Sequence, residues 1–251
     1  MHVSRIGFTP LKGGRHRQHP EVELALTGPV GDRAYCLVDP VAARCLRTVE
    51  NPRLLQMVAS VDGDALTVTL PDGTVSGVPG LSGEKLTVDY WGRDAVVELL
   101  DGPFADACSR HLGRDVVLAR AEPGVVVYGG SVTLVTSSSL AELSRRAGAP
   151  ASGERFRATF HLDVGDLPAH AEEEWAGRDL RVGAAVVRVR GAVPRCAVVD
   201  LDPATGERDV DVMRTLAGYR RGQGEVSFGI DAEVVVPGHV RTGDDVELGR
   251  D

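Results

Sequence analysis

The densest chemistry in the chain lies at Val193-Pro194-Arg195-Cys196, followed by the apolar run 197–201 and the turn sequence Asp202-Pro203-Ala204-Thr205-Gly206. Thiolate is the nucleophilic and metal-ligating form of cysteine, and a neighbouring cation such as Arg195 favours it. The run 197–201 is expected to form a strand, and 202–206 the turn that ends it. That arrangement holds Cys196 near the mouth of a rigid sheet. The competing reading is a small buried hydrophobe, a common fate of cysteine in an apolar run.

The other three cysteines, Cys36, Cys45 and Cys108, are widely spaced and form no CxxC pair. That excludes the usual zinc and redox spacings. They read as buried apolar fillers, with a Cys36–Cys45 bridge across a hairpin as the oxidised alternative. His111, His161 and His239 lack ligand spacing and read as non-catalytic. The chain has 251 residues, 43% of them hydrophobic, enough for one large or two small cores. Its net charge of -8 argues against nucleic-acid binding. No run of eighteen apolar residues and no basic, apolar leader is present, so the expectation is a cytoplasmic protein without a membrane span.

Short alternating apolar runs must position these residues. Strands are expected at 5–9, 34–38, 54–61, 65–70, 85–88, 96–99 and 116–119, then at 132–136, 157–164, 180–182, 185–190, 197–201, 225–236 and 245–248. Asp62-Gly63-Asp64 signals a hairpin. Helices are expected from Pro103 to Leu112, stopped by Gly113, from Ser137 to Ala147, stopped by Gly148, and over 211–219. The fold class is α+β, mainly β and barrel-rich, with a few short helices. A change of texture near residue 121 suggests two domains, 1–120 and 121–251.

Several ordered motifs resemble the MOSC superfamily. They are Arg155-Phe156-Arg157, the segment 174–183 around Trp175, Pro194-Arg195-Cys196, Asp202-Pro203-Ala204-Thr205-Gly206, the segment 215–220, Phe228-Gly229 and the closing segment 238–244. Upstream, Pro10-Leu11-Lys12-Gly13-Gly14, Leu26-Thr27-Gly28, Gly31-Asp32-Arg33-Ala34-Tyr35, Val38-Asp39 and Pro52-Arg53-Leu54 are similar to the N-terminal MOSC β-barrel domain. The resemblance spans nearly the whole chain. It extends to the mitochondrial amidoxime-reducing component and its bacterial relatives.

That resemblance implies a molybdenum cofactor, with Cys196 as metal ligand and catalytic residue and reduction of N-hydroxylated or N-oxide compounds. Lys12, Gly13, Arg33, Arg47, Ser137, Ser138, Arg157, Thr159 and Arg195 fall at positions that hold the pterin and its phosphate. The chemistry suits the group. Thiolate is a soft ligand for the metal. Guanidinium forks and an ammonium grip phosphate, and a helix start at Ser137 offers free amides. Each residue also has a bland reading: a solvated lysine, a turn salt bridge between Asp32 and Arg33, surface arginines alternating on one strand face, a helix cap at Ser137. Trp175 reads as core and Tyr219-Arg220 as structural.

Two departures from the family pattern matter. Val193 stands where many relatives carry a second cysteine, which argues against a vicinal dithiol. Arg-Phe-Arg-Ala-Thr replaces Arg-Phe-Arg-Pro-Asn, so Thr159 offers a hydroxyl where an amide is common. The expected partners are a small N-oxygenated substrate and a separate electron donor such as a ferredoxin or a flavoprotein reductase. Sulfur transfer through a Cys196 persulfide and non-catalytic cofactor binding are the rival functions. Pyridoxal phosphate binding is an association of the family at large.

Overall fold

The computed structural model describes residues 1–222 and 224–249. In chain order the strands are β1 (His2–Phe8), β2 (Arg17–His19), β3 (Glu21–Ala25), β4 (Gly28–Pro29), β5 (Tyr35–Asp39), β6 (Arg44–Cys45), β7 (Val58–Asp62), β8 (Ala65–Leu70), β9 (Gly73–Gly77), β10 (Gly80–Tyr90), β11 (Arg93–Asp101) and β12 (Val117–Ala121). They continue as β13 (Val132–Thr136), β14 (Phe160–Asp163), β15 (Asp179–Val182), β16 (Ala185–Pro194), β17 (Arg221–Gly222), β18 (Glu225–Val236), β19 (Gly238–Arg241) and β20 (Val246–Leu248). The α-helices are α1 (Phe104–Leu112), α2 (Ser137–Ala147) and α3 (Val212–Ala217). The protein is thus a β-rich α+β fold.

Period-two patterning builds the strands. Leu66, Val68 and Leu70 turn inward from β8, and Phe160 and Leu162 from β14. The Thr136 side chain accepts from Ser139 N to start α2, and left-handed Gly148 and Gly113 end α2 and α1.

Nine strands form one sheet, in the order β2-β1-β14-β13-β18-β16-β15-β20 with β17 on β18. Strands β10-β11-β12-β5-β6 close into a barrel. Small sheets β19-β3-β4 and β7-β8-β9 complete the fold. Val3, Ile6, Leu134, Phe160, Val187 and Ile230 pack the core of the large sheet. The barrel core contains Val38, Val88, Tyr90, Val97 and Ala119, with Cys36 and Cys45 as buried free thiols.

Strand pairing divides the chain differently from 1–120 and 121–251. Strand β1 pairs with β14, Ile6 opposite Phe160, and β3 pairs with β19, Val22 opposite Val240. The first 29 residues therefore join the C-terminal strands, and the barrel occupies 35–121. The apolar face of β1 needs a partner face, and the partner lies far along the chain. This pairing brings the segment after β1 across to the barrel, where Lys12 N donates to Tyr35 O (2.7 Å) and Arg33 N to Thr9 O (2.8 Å).

Three local expectations are corrected. Residues 197–200 form a 3-10 turn, not a strand, and Cys196 is its extended N-cap (φ -124°, ψ 175°). The segment around Arg155 is also a 3-10 turn, Gly153–Phe156, and the strand begins only at Phe160. Arg157 ends that turn in the left-handed region (φ 52°), so Arg155 and Arg157 do not share a strand face. The third helix is shorter than 211–219. Short apolar runs do not distinguish a strand from a turn of helix.

Arg155 is 5% exposed and forks onto Asp209 (2.7 and 2.5 Å), with Leu201 O accepting a further bond at 2.9 Å. Asp209→Ala strands this charge. We expect a loss of about 2 kcal/mol in urea unfolding, moderated by the partial exposure of Asp209. Adding Arg155→Met to that variant should recover part of it.

Candidate functional site

One cleft of about 320 Å³ lies where the barrel meets the large sheet. Lys12 enters it from the segment after β1, Arg33 from the loop before β5 and Arg47 from the loop after β6. The opposite wall is Arg157, Thr159 and, at the end of β16, Arg195 and Cys196. The Cys196 side chain is exposed, whereas Cys36, Cys45 and Cys108 are buried. Arg195 N donates to Val226 O (2.8 Å), and Val199 N to Cys196 O (3.2 Å), so the backbone on both sides of the thiol is tied.

The charges are only partly balanced. Arg33 is paired with Asp32 at 2.6 Å, Arg47 with Asp89 at 2.7 Å and Arg155 with Asp209. Among the described residues, Lys12, Arg157 and Arg195 form no ion pair. Arg195 spends two donors on backbone, Phe228 O (2.8 Å) and Phe156 O (3.0 Å), and its Nη2 is buried without a partner. Arg157 Nη1 is likewise buried and unpartnered. Burial, then Arg33, pulls Arg157 down to about 9, and burial pulls Arg195 down to about 10. Lys12 is lowered to about 7, by burial first and then by Arg33 and Arg157. Its Nζ donates to Tyr90 Oη at 2.7 Å. A chain of net charge -8 thus gathers cations in one place, which suits an anion.

Not every expected site residue is there. Ser137 and Ser138 lie away from the cleft. The β13 strand presents Thr133 to the cleft and carries its other end, where α2 starts, elsewhere. The anion at that helix start is the chain's own Glu172: Ser139 Oγ donates to Oε1 at 2.7 Å, and the Thr136 hydroxyl is 3.1 Å from Oε2. Ser137 Oγ accepts from Val164 N, and Ser138 Oγ donates to Pro168 O. Gly13 does not line the cleft. It turns the chain behind Lys12 in the left-handed region (φ 84°), where a Cβ would lie 2.8 Å from Leu54 Cδ1. The Thr159 hydroxyl accepts from Thr133 N (3.2 Å), which fixes it in the wall.

Sequence reasoning missed Trp91, Tyr128 and Thr133, which all line the cleft. The hairpin turn Trp91-Gly92 carries a legible signal, a glycine between two strand-like runs. Tyr128, in the loop joining β12 to β13, carries none. Trp175 is core, 5% exposed. No helix among the described residues is long and apolar enough to cross a membrane.

The MOSC domain family model matches residues 111–247, more than half of the chain. The chain is similar to the molybdenum cofactor sulfurase of Anopheles gambiae, 26% identical over 243 residues, covering 82% of this chain and 30% of that protein. It is 33% identical over 78 residues to the molybdenum cofactor sulfurase of Solanum lycopersicum, covering 30% of this chain and 9% of that protein. The chain therefore spans less than a third of the length of these relatives. Among solved structures it is similar to the YuaD protein of Bacillus subtilis, at 13% identity and TM-score 0.48, covering 98% of this chain and 93% of that one. On the family match, with the Arg-Cys pair at the end of a strand and facing a basic cleft, the chain belongs to the MOSC domain family.

Proposed function

We propose that this protein binds molybdenum cofactor in the basic cleft, with the metal on Cys196, and reduces N-hydroxylated or N-oxide compounds. One observation carries the reading: the exposed thiol shares a cleft with Lys12, Arg157 and Arg195, three cations that form no ion pair among the described residues. The residues fit the group. The sulfur is a soft donor, and the unpartnered Arg157 Nη1 and Arg195 Nη2 are donors waiting for acceptors. Lys12, Arg33 and Arg157 would hold the phosphate end, with Arg47 beside them and the Thr159 backbone and hydroxyl shaping the wall. Relatives named as molybdenum cofactor sulfurases support the cofactor class.

When bound, the molybdenum centre supplies two-electron removal of the substrate oxygen, which leaves as water with two protons and two electrons from an external donor. The chain's part is to orient the pterin, present the thiolate and keep the cations in register. The electron donor is proposed to be a separate protein, a ferredoxin or a flavoprotein reductase.

The test is metal analysis of protein made in a cofactor-competent host, joined to turnover of an aryl amidoxime with reduced viologen. About one molybdenum per chain together with amidine formation is expected. A sulfur carrier, the second reading, is favoured by the exposure of Cys196 and the sulfurase relatives. It would show the mass of one added sulfur on Cys196 and no metal.

A further inference from the structure

We propose that Trp91 and Tyr128 form a ring-binding wall at the mouth of this cleft and select substrates whose N-oxygenated group is carried on a planar aromatic ring. The inference rests on the reading of the cleft as the substrate site.

Trp91 occupies an unusual place. Strands β10 and β11 pair up to Tyr90 opposite Arg93, leaving a two-residue turn, Trp91-Gly92. Both residues have positive φ, 57° and 79°. This is the pattern of a type I′ turn, in which asparagine or aspartate normally precedes glycine because a large side chain is strained there. Asp89 Oδ1 accepts from Gly92 N at 2.7 Å and helps to hold the turn. A backbone held against its preference by its surroundings points to a use for the side chain.

That side chain adds little to the core. Trp91 is 43% exposed and Tyr128 61% exposed, and both line the cleft. Their rings lie 5.8 Å apart at 53°, and the Arg47 guanidinium faces the Trp91 ring at 4.6 Å. Tyr128 is held toward the same hairpin because Arg93 donates to Val125 O (3.1 Å) and Val127 O (2.6 Å) on its loop. Lys12 and Arg157 are less exposed than the two rings, and their charges suit a resident anion. Both rings and Cys196 are exposed cleft-lining residues. Two large exposed rings at the mouth suit a flat ring entering after the cofactor, because aromatic faces stack with little regard to the ring's substituents.

The experiment is calorimetric titration of the full chain, without an electron donor, with benzhydroxamic acid and with acetohydroxamic acid, which share a head group and differ in the ring. Molybdenum content is measured in each batch. Wild type should bind the aryl probe about tenfold more tightly than the alkyl probe. Trp91→Asn should bring that ratio close to unity without lowering the thermal midpoint, since asparagine suits the turn. Trp91→Phe should restore the preference in part. Equal affinity for the two probes in wild type, no binding of either, or an unchanged ratio in Trp91→Asn overturns the proposal. So does loss of molybdenum from Trp91→Asn, which would assign the rings to the cofactor. A chain that holds no molybdenum yet keeps the ring-dependent ratio sinks the redox reading and leaves the ring wall standing.

Discussion

Cys196→Ser should leave a folded protein that retains less than about a tenth of the wild-type molybdenum. Serine keeps the shape and removes the soft anion. The hydroxyl is a harder ligand and stays protonated at neutral pH, so the site loses its metal donor. The fold should not notice. The side chain is exposed, and the backbone bonds of Arg195 N and Val199 N on either side do not use the sulfur. The thermal midpoint is expected within about 2 °C of wild type. Elemental analysis and a melting curve on the same sample decide the matter. Full metal retention in a folded variant would remove Cys196 from the metal site. In the sulfur-carrier reading the wild type holds no metal, and the serine variant instead loses the added sulfur mass.

Lys12→Met should make the protein more stable in mildly acidic solution while weakening anion binding. The folded lysine is lowered to about 7, chiefly by burial and then by the like charges of Arg33 and Arg157. The unfolded amine keeps its proton into the ordinary lysine range near 10.5. Between those limits the unfolded state binds more protons than the folded one, so stability rises with pH from about 7 toward 10.5. Below 7 the folded chain bears the full penalty of a buried ammonium. Methionine fills similar space without that charge, and the expected gain at pH 6 is on the order of 2–4 kcal/mol, fading as pH rises. Inorganic pyrophosphate serves as the anion probe. In wild type it should bind with proton uptake at pH 8, because its charge restores the ammonium, and Lys12→Met should bind it more weakly with less uptake. Urea unfolding at pH 6 and 9 and calorimetry in two buffers test both halves. A variant no more stable than wild type at pH 6 would mean that the ammonium is already well solvated.

Trp91 and Lys12 share a physical logic. Each is held in a state the isolated residue disfavours, one in backbone conformation and one in charge, and both lie in the same cleft. Function is commonly placed where local preference and global fold disagree.

Much of this site is legible in the sequence. The Arg195-Cys196 pair, the lysine before Gly13 and the arginines at 33, 47 and 157 stood out by residue type and by their motifs. Helices α1 and α2 were bounded by Gly113 and Gly148, because stop signals are local chemistry. What the sequence determined is this inventory: which groups can ligate a soft metal, which can hold an anion, and a chain dominated by strands. Only the tertiary structure decided which of them meet. Strand β1 joins β14 across more than 150 residues of chain, and that pairing delivers Lys12 to the wall opposite Cys196. The start of α2, equally suited to an anion by local rules, is turned away and taken by Glu172. Ladder partners are chosen by complementary buried faces far apart in sequence, and no local pattern encodes which distant face a strand will cover.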